Sequence, residues 1–141
     1  MNDTQTPIWR PISFLATYTQ LIDGTLEEAK DQLALLEQAR PKPYALDDAT
    51  VSRIIRCYTE SATYIPLYRE QLTRWERTEL TTEQRREVDR LKLQVDDLAD
   101  VLDAILSLAD QLKENTIDAI LRKDDAELAA DVLAGKILPP Q

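Results

Sequence analysis

Histidine is absent from the 141 residues, cysteine occurs once, at Cys57, and glycine twice, at Gly24 and Gly135. Each shortage excludes a class of chemistry. Without an imidazole there is no Ser-His-Asp or Cys-His pair to activate a nucleophile, and no histidine to bind a metal. One thiol can close no internal disulfide and build no thiolate zinc site. It suits a reducing, cytoplasmic setting. Two isolated glycines cannot form a phosphate-cradling loop or a dinucleotide fingerprint, both of which need clustered glycines where backbone meets phosphate. No run of eighteen apolar residues is present, so no membrane-spanning helix is expected. The stretch from Pro11 to Ile22 is too polar for a signal-peptide core. Basic side chains are also scarce, 17 against 26 acidic ones, for a formal charge of −9. That balance opposes phosphate-driven nucleic-acid binding.

What is present is helix-forming material. The chain is 43% hydrophobic and 30% charged, enough for one domain with a core. Between Leu67 and Ala134 there is neither Pro nor Gly, and Leu, Ala, Glu, Asp, Arg and Gln dominate. The expected fold is all-α: an antiparallel three-helix bundle of long, heptad-patterned helices, with two short C-terminal helices folded back as a lid. The chain reads as a single helical domain over 1–141. Residues 1–11 form an extended tail, 12–39, 48–78 and 82–113 the long helices, 116–135 the short ones, and 136–141 a tail.

The seams follow from spacing. Leu15, Ile22, Leu26, Ala29, Leu33 and Leu36 form the stripe of the first helix, closed by Arg40-Pro41-Lys42-Pro43. Asp47 or Asp48 caps the second, whose stripe is Val51, Ile55, Tyr58, Ala62, Ile65 and Leu72, with Arg69 where an apolar residue was due. Pro66 inside it predicts a kink. Thr81 and Gln84 form a capping box for the third helix. Its stripe is Val88, Leu91, Val95, Leu98, Leu102, Ile105, Ala109 and Leu112. Folding helices two and three about Glu79–Leu80 sets Leu72 opposite Val88, Ile65 opposite Val95, Tyr58 opposite Leu102 and Ile55 opposite Ile105. Folding helices one and two about Tyr44 sets Leu33 opposite Ile55 and Ala29 opposite Tyr58. Leu102 and Tyr58 are therefore expected to be buried face to face. Asn115 or Thr116 starts one lid helix, Asp124 caps the other, and Gly135 stops it.

Charge is spread unevenly. Residues 96–141 hold 11 acids and 4 bases, and Asp96, Asp97, Asp100, Asp103 and Asp110 crowd the outer face of helix three. This reads first as a solvated face. Asp97 and Asp100 also project from one helical face, as a divalent cation would require. The run Asp96-Asp97-Leu98-Ala99-Asp100-Val101-Leu102, with Ser107 to Leu112, resembles the second metal-binding helix of the MazG-type all-α nucleoside triphosphate pyrophosphohydrolases. Glu27, Glu28 and Asp31 are similar to that family's earlier acidic helix. The resemblance implies Mg²⁺-dependent hydrolysis of nucleoside triphosphates to monophosphate and pyrophosphate. Both acidic sets lie opposite the seams, so the site would need two subunits.

Other features read as structure first. Tyr64 and Tyr68 flank Pro66, whose kink could open a pocket for a planar ligand, as in a small-ligand sensor. Arg69 could mark register or a buried ion pair, and Cys57 lies off the seam. Helix one carries more apolar flank than one bundle needs, with Phe14, Tyr18, Leu21 and Leu35 off its seam. The leading expectation is a non-enzymatic interaction or scaffold protein, a homodimer through those four residues, with no cofactor, no bound nucleic acid and no membrane. The pyrophosphohydrolase with Mg²⁺ and the sensor are the alternatives.

Overall fold

Helix boundaries in the computed structural model, which describes residues 8–122, fall where caps and prolines put them. Four α-helices follow in order: α1 (Leu15–Ala39), α2 (Asp48–Ala62), α3 (Ile65–Glu76) and α4 (Thr82–Lys113). Short 3-10 turns at Ile12–Phe14 and Pro43–Ala45 lead into α1 and α2. A further helical stretch begins at Ile117 and reaches the last described residue, Arg122. Among the described residues there is no strand. The extreme N-terminal tail, and the expected second lid helix from Asp124 with its stop at Gly135, lie outside the described residues.

The caps are the expected ones. Asp47 accepts a hydrogen bond from the Thr50 amide at 2.7 Å, which holds its carboxyl below the usual carboxylate range. Thr81 and Gln84 exchange side-chain-to-backbone bonds in a full capping box. The expected single helix over 48–78 is corrected to two. Pro66 has no amide hydrogen and crowds the carbonyl of Ala62. The amides of Thr63 and Tyr64 turn instead to Glu60 and Ser61, and Pro66 becomes the second residue of α3, where a missing donor costs nothing.

α4 is the central helix, with α1, α2 and α3 each packed extensively against it. All eight of its expected seam residues, Val88 through Leu112, are buried, and Leu108 joins them. From α1 come Ile22, Leu26, Ala29 and Leu36, from α2 Val51, and from α3 Ile65, Tyr68, Leu72 and Trp75. The break shifts the phase of the buried stripe, so Tyr68 takes the inward position expected at the place of Arg69. Arg69 lies half-exposed and pairs with Asp96 at 3.2 Å. Leu102 is buried as expected, but Tyr58, Ile55 and Leu33 are only half-buried. α1 and α2 both spend their apolar faces on α4, which leaves the gap between them partly open.

Polar pairs fix the order of residues across the helices. Thr19 donates to Glu87, while Asp23 meets Arg90 and Gln94, which ties α1 to α4. Arg69 meets Asp96 and Glu76 meets Lys92, which ties α3 to α4. At the far end Thr116, fully buried, caps the last helical stretch through the Ala119 amide and donates to Asp48 at 2.6 Å. The Asp48 amide donates in turn to Asp118, and the Ile117 amide to the Leu46 carbonyl. Two helix starts thus satisfy one another's free groups. No described helix is long and apolar enough to cross a membrane.

Candidate interaction surface

The four apolar residues expected to form an interface on α1 divide into two kinds. Phe14 and Tyr18 are half-buried and already engaged. The Arg10 guanidinium sits 5.0 Å from the Phe14 ring centroid. Tyr18 meets Trp75 edge-on at 5.0 Å and Tyr68 at 6.2 Å. Burial pushes the hydroxyls of Tyr18 and Tyr68 above the usual tyrosine value. Leu21 and Leu35 are the free pair, 44% and 59% exposed. They lie about 21 Å apart along the helix, so they do not form one patch by themselves.

Leu21 gains neighbours from α3 instead. It shares a groove of about 510 Å³ with Ile8, Tyr64 and Leu67, over a floor of Tyr18 and Tyr68. The groove lies beside the α2–α3 break, at the place where the sequence suggested a pocket near Pro66. Tyr64 stacks on Tyr68 with centroids 6.3 Å apart. Among the described residues lining the groove Arg10 is the one that is charged, although 30% of the chain is charged. A concavity with a single charge on so charged a surface is the feature of contact surfaces rather than of solvated faces.

Residues 8–11 border this groove and close the lower part of the α1–α3 seam. Gln71 is 1% exposed, and its amide meets both backbone groups of Arg10: its Oε1 accepts from the Arg10 amide at 2.7 Å and its Nε2 donates to the Arg10 carbonyl at 3.2 Å. The Trp75 indole donates to the same carbonyl at 2.9 Å. Arg74 lies 4.4 Å over the Trp9 ring. Trp9, Arg10, Gln71 and Trp75 were invisible as a group in the sequence. The only hint was a tryptophan and a proline bracketing an arginine in a segment with no helical period.

Elsewhere charges are paired or solvated. Arg90 grips both Asp23 and Glu87 with hydrogen bonds of 2.7 to 3.2 Å, which pushes its own pKa up and holds both carboxyls low. A cleft of about 600 Å³ at the opposite end is lined by Asp48, Asp110, Lys113 and Arg122. There Asp48 is committed to Thr116 and to Arg122, which keeps its carboxyl low. Glu27, Glu28 and Asp31 on α1, and Asp97 and Asp100 on α4, all face solvent. Among the described residues no three Asp, Glu, Cys or His side chains gather as a metal site. Cys57 is exposed on α2. No protein-family model, curated protein or solved structure matches this chain.

Proposed function

We propose that this chain is a non-enzymatic helical-bundle protein that works through protein–protein contacts, in the cytoplasm, and that it pairs with a second copy through the outer face of α1. The largely apolar groove carrying Leu21, Ile8, Tyr64 and Leu67, with Arg10 its one charged residue among those described, is the observation behind this reading. A two-fold pair brings Leu21 near its own symmetry mate and needs no other chain. Phe14 and Tyr18 support that face from beneath, and Leu35 extends it. The scaffold is an antiparallel three-helix bundle in which α2 and α3 together count as one broken helix. The order of the polar pairs along α1, α3 and α4 supports this topology. The helical stretch from Ile117 is the first part of a lid over the end of the bundle.

Light scattering at micromolar concentration is expected to report about twice the 16.1 kDa chain mass, and Leu21→Glu to return it toward a single chain. A wild-type protein that stays monomeric at high concentration sinks the pairing. Nucleoside triphosphates with Mg²⁺ are expected to release no pyrophosphate in its presence. Release that Asp100→Asn abolishes would replace this reading with a pyrophosphohydrolase.

A further inference from the structure

We propose that the α3 surface beneath residues 9–11 is a receptor for an extended peptide of the pattern aromatic–X–Pro, which the chain's own Trp9-Arg10-Pro11 fills in cis. This rests on the reading of the chain as an interaction protein and names the chemistry of one partner segment.

The site reads main chain. Three hydrogen bonds hold the backbone of Arg10: its amide donates to Gln71 Oε1, and its carbonyl accepts from Gln71 Nε2 and from the Trp75 indole. The Arg10 side chain turns away to the Phe14 ring, so the central residue of the pattern is free to vary. Recognition through one residue's amide and carbonyl is how sheet edges take up extended peptides, and here two helical side chains supply it. The flanking positions give selectivity. An aromatic ring on the N-terminal side lies against Arg74. Proline on the C-terminal side holds the chain extended, with φ −69° and ψ 165° at Pro11, and brings no amide hydrogen that would need a partner.

Gln71 is the reason to read a receptor rather than a cover. It flanks the buried stripe of α3 and is 1% exposed. A position that merely needed covering would be served by leucine, with no amide to desolvate. A buried glutamine is stable only while something extended lies across it, because an unmet amide costs about 1–3 kcal/mol. The cis segment meets that need without secondary structure of its own. A groove of about 610 Å³, lined in part by Trp9, Pro11, Arg74 and Arg77, runs beside it. The bound segment is therefore the template for the ligand: an aromatic residue, any residue, then proline.

The test uses the full-length Trp9→Ala protein, in which Trp75 is the only remaining indole. Removing the anchor is expected to loosen the cis segment and move the Trp75 indole N–H resonance from its wild-type position. Titration with a capped hexapeptide of residues 7–12, Pro-Ile-Trp-Arg-Pro-Ile, is expected to return it in a saturable manner. The same peptide N-methylated at the arginine nitrogen, or the protein also carrying Gln71→Leu, is expected to bind about tenfold more weakly or not at all. The proposal is overturned if Trp9→Ala leaves the resonance where it was, if the hexapeptide gives no saturable shift, or if the methylated peptide binds equally well. The oligomeric mass of the same samples reports on pairing through Leu21 separately, so the two readings fail independently.

Discussion

α1 has two neighbours and meets them in different ways. Against α4 it lays aliphatic side chains, Ile22, Leu26, Ala29 and Leu36, at heptad spacing, and the two helices pack closely. Beside that stripe the carboxylates of Asp23 and Glu87 close on Arg90. Against α3 it lays a ring, Tyr18, between two other rings. Rings meeting edge-on at 5.0 and 6.2 Å hold backbones further apart than interlocked leucines do. The space left over is what residues 8–11 and the open groove occupy. The α1–α4 seam carries a smaller groove, about 390 Å³ beside Thr19 and Glu87, whereas the aromatic seam leaves a place where another chain segment can lie.

The largest test of this contrast is at the α4 core. Leu102→Ala is expected to cost about 2–5 kcal/mol in chemical denaturation, the range for a buried leucine. Leu93→Ala, at a site 68% exposed, should stay within about 0.5 kcal/mol. Equal losses at the two positions would mean that α4 does not present the face described.

Titration separates the two seams by sign. Asp23 and Glu87 have carboxyls held below their ordinary values of 3.8 and 4.5, chiefly by hydrogen bonds from Arg90. Their contribution is complete above those values and is lost as pH falls through the lower folded ones. Tyr18 and Tyr68 are raised by burial, so their contribution is complete below 10.0 and is lost as pH climbs past it. Melting temperature followed against pH should therefore show the α1–α4 seam weakening on the acid side, together with the caps at Asp47 and Asp48, and the tyrosines Tyr18, Tyr58 and Tyr68 on the alkaline side. Arg90→Ala should reduce the acid limb, leaving the part due to Asp47 and Asp48, and an altered alkaline limb would show that the two seams are coupled. At neutral pH that substitution is expected to have a small effect, about 1 kcal/mol or less, because the Arg90 side chain is 43% exposed.

Legibility in the sequence followed the same division. The α4 stripe, the caps at Asp47 and Thr81 and the closure near Pro43 were readable because each depends on residues within a turn or two. The disturbance at Pro66 was readable, but its consequence was not. A break rather than a bend moves the inward position from Arg69 to Tyr68, and a one-residue phase change is invisible to a period fitted through the break. The Gln71–Arg10 pairing spans 61 residues and joins a helix to a segment with no period. The surplus of apolar side chains on α1 was visible in the sequence. Two of its four members, Phe14 and Tyr18, proved to be occupied by rings of α3 and by an arginine of the segment before α1.

The central place of α4 also sets an order of assembly. Its polar pairs with α3 span 16 and 27 residues, while those with α1 span 67 to 71. Short loops close first, so the contact between α3 and α4 is the natural nucleus, and α1 joins only when a docking face already exists. During synthesis α1 leaves the ribosome long before α4 is made, with its leucine stripe facing water throughout the interval. The Trp9–Pro11 segment needs α3 in place before it can lie down, so it is secured only after α3 has packed.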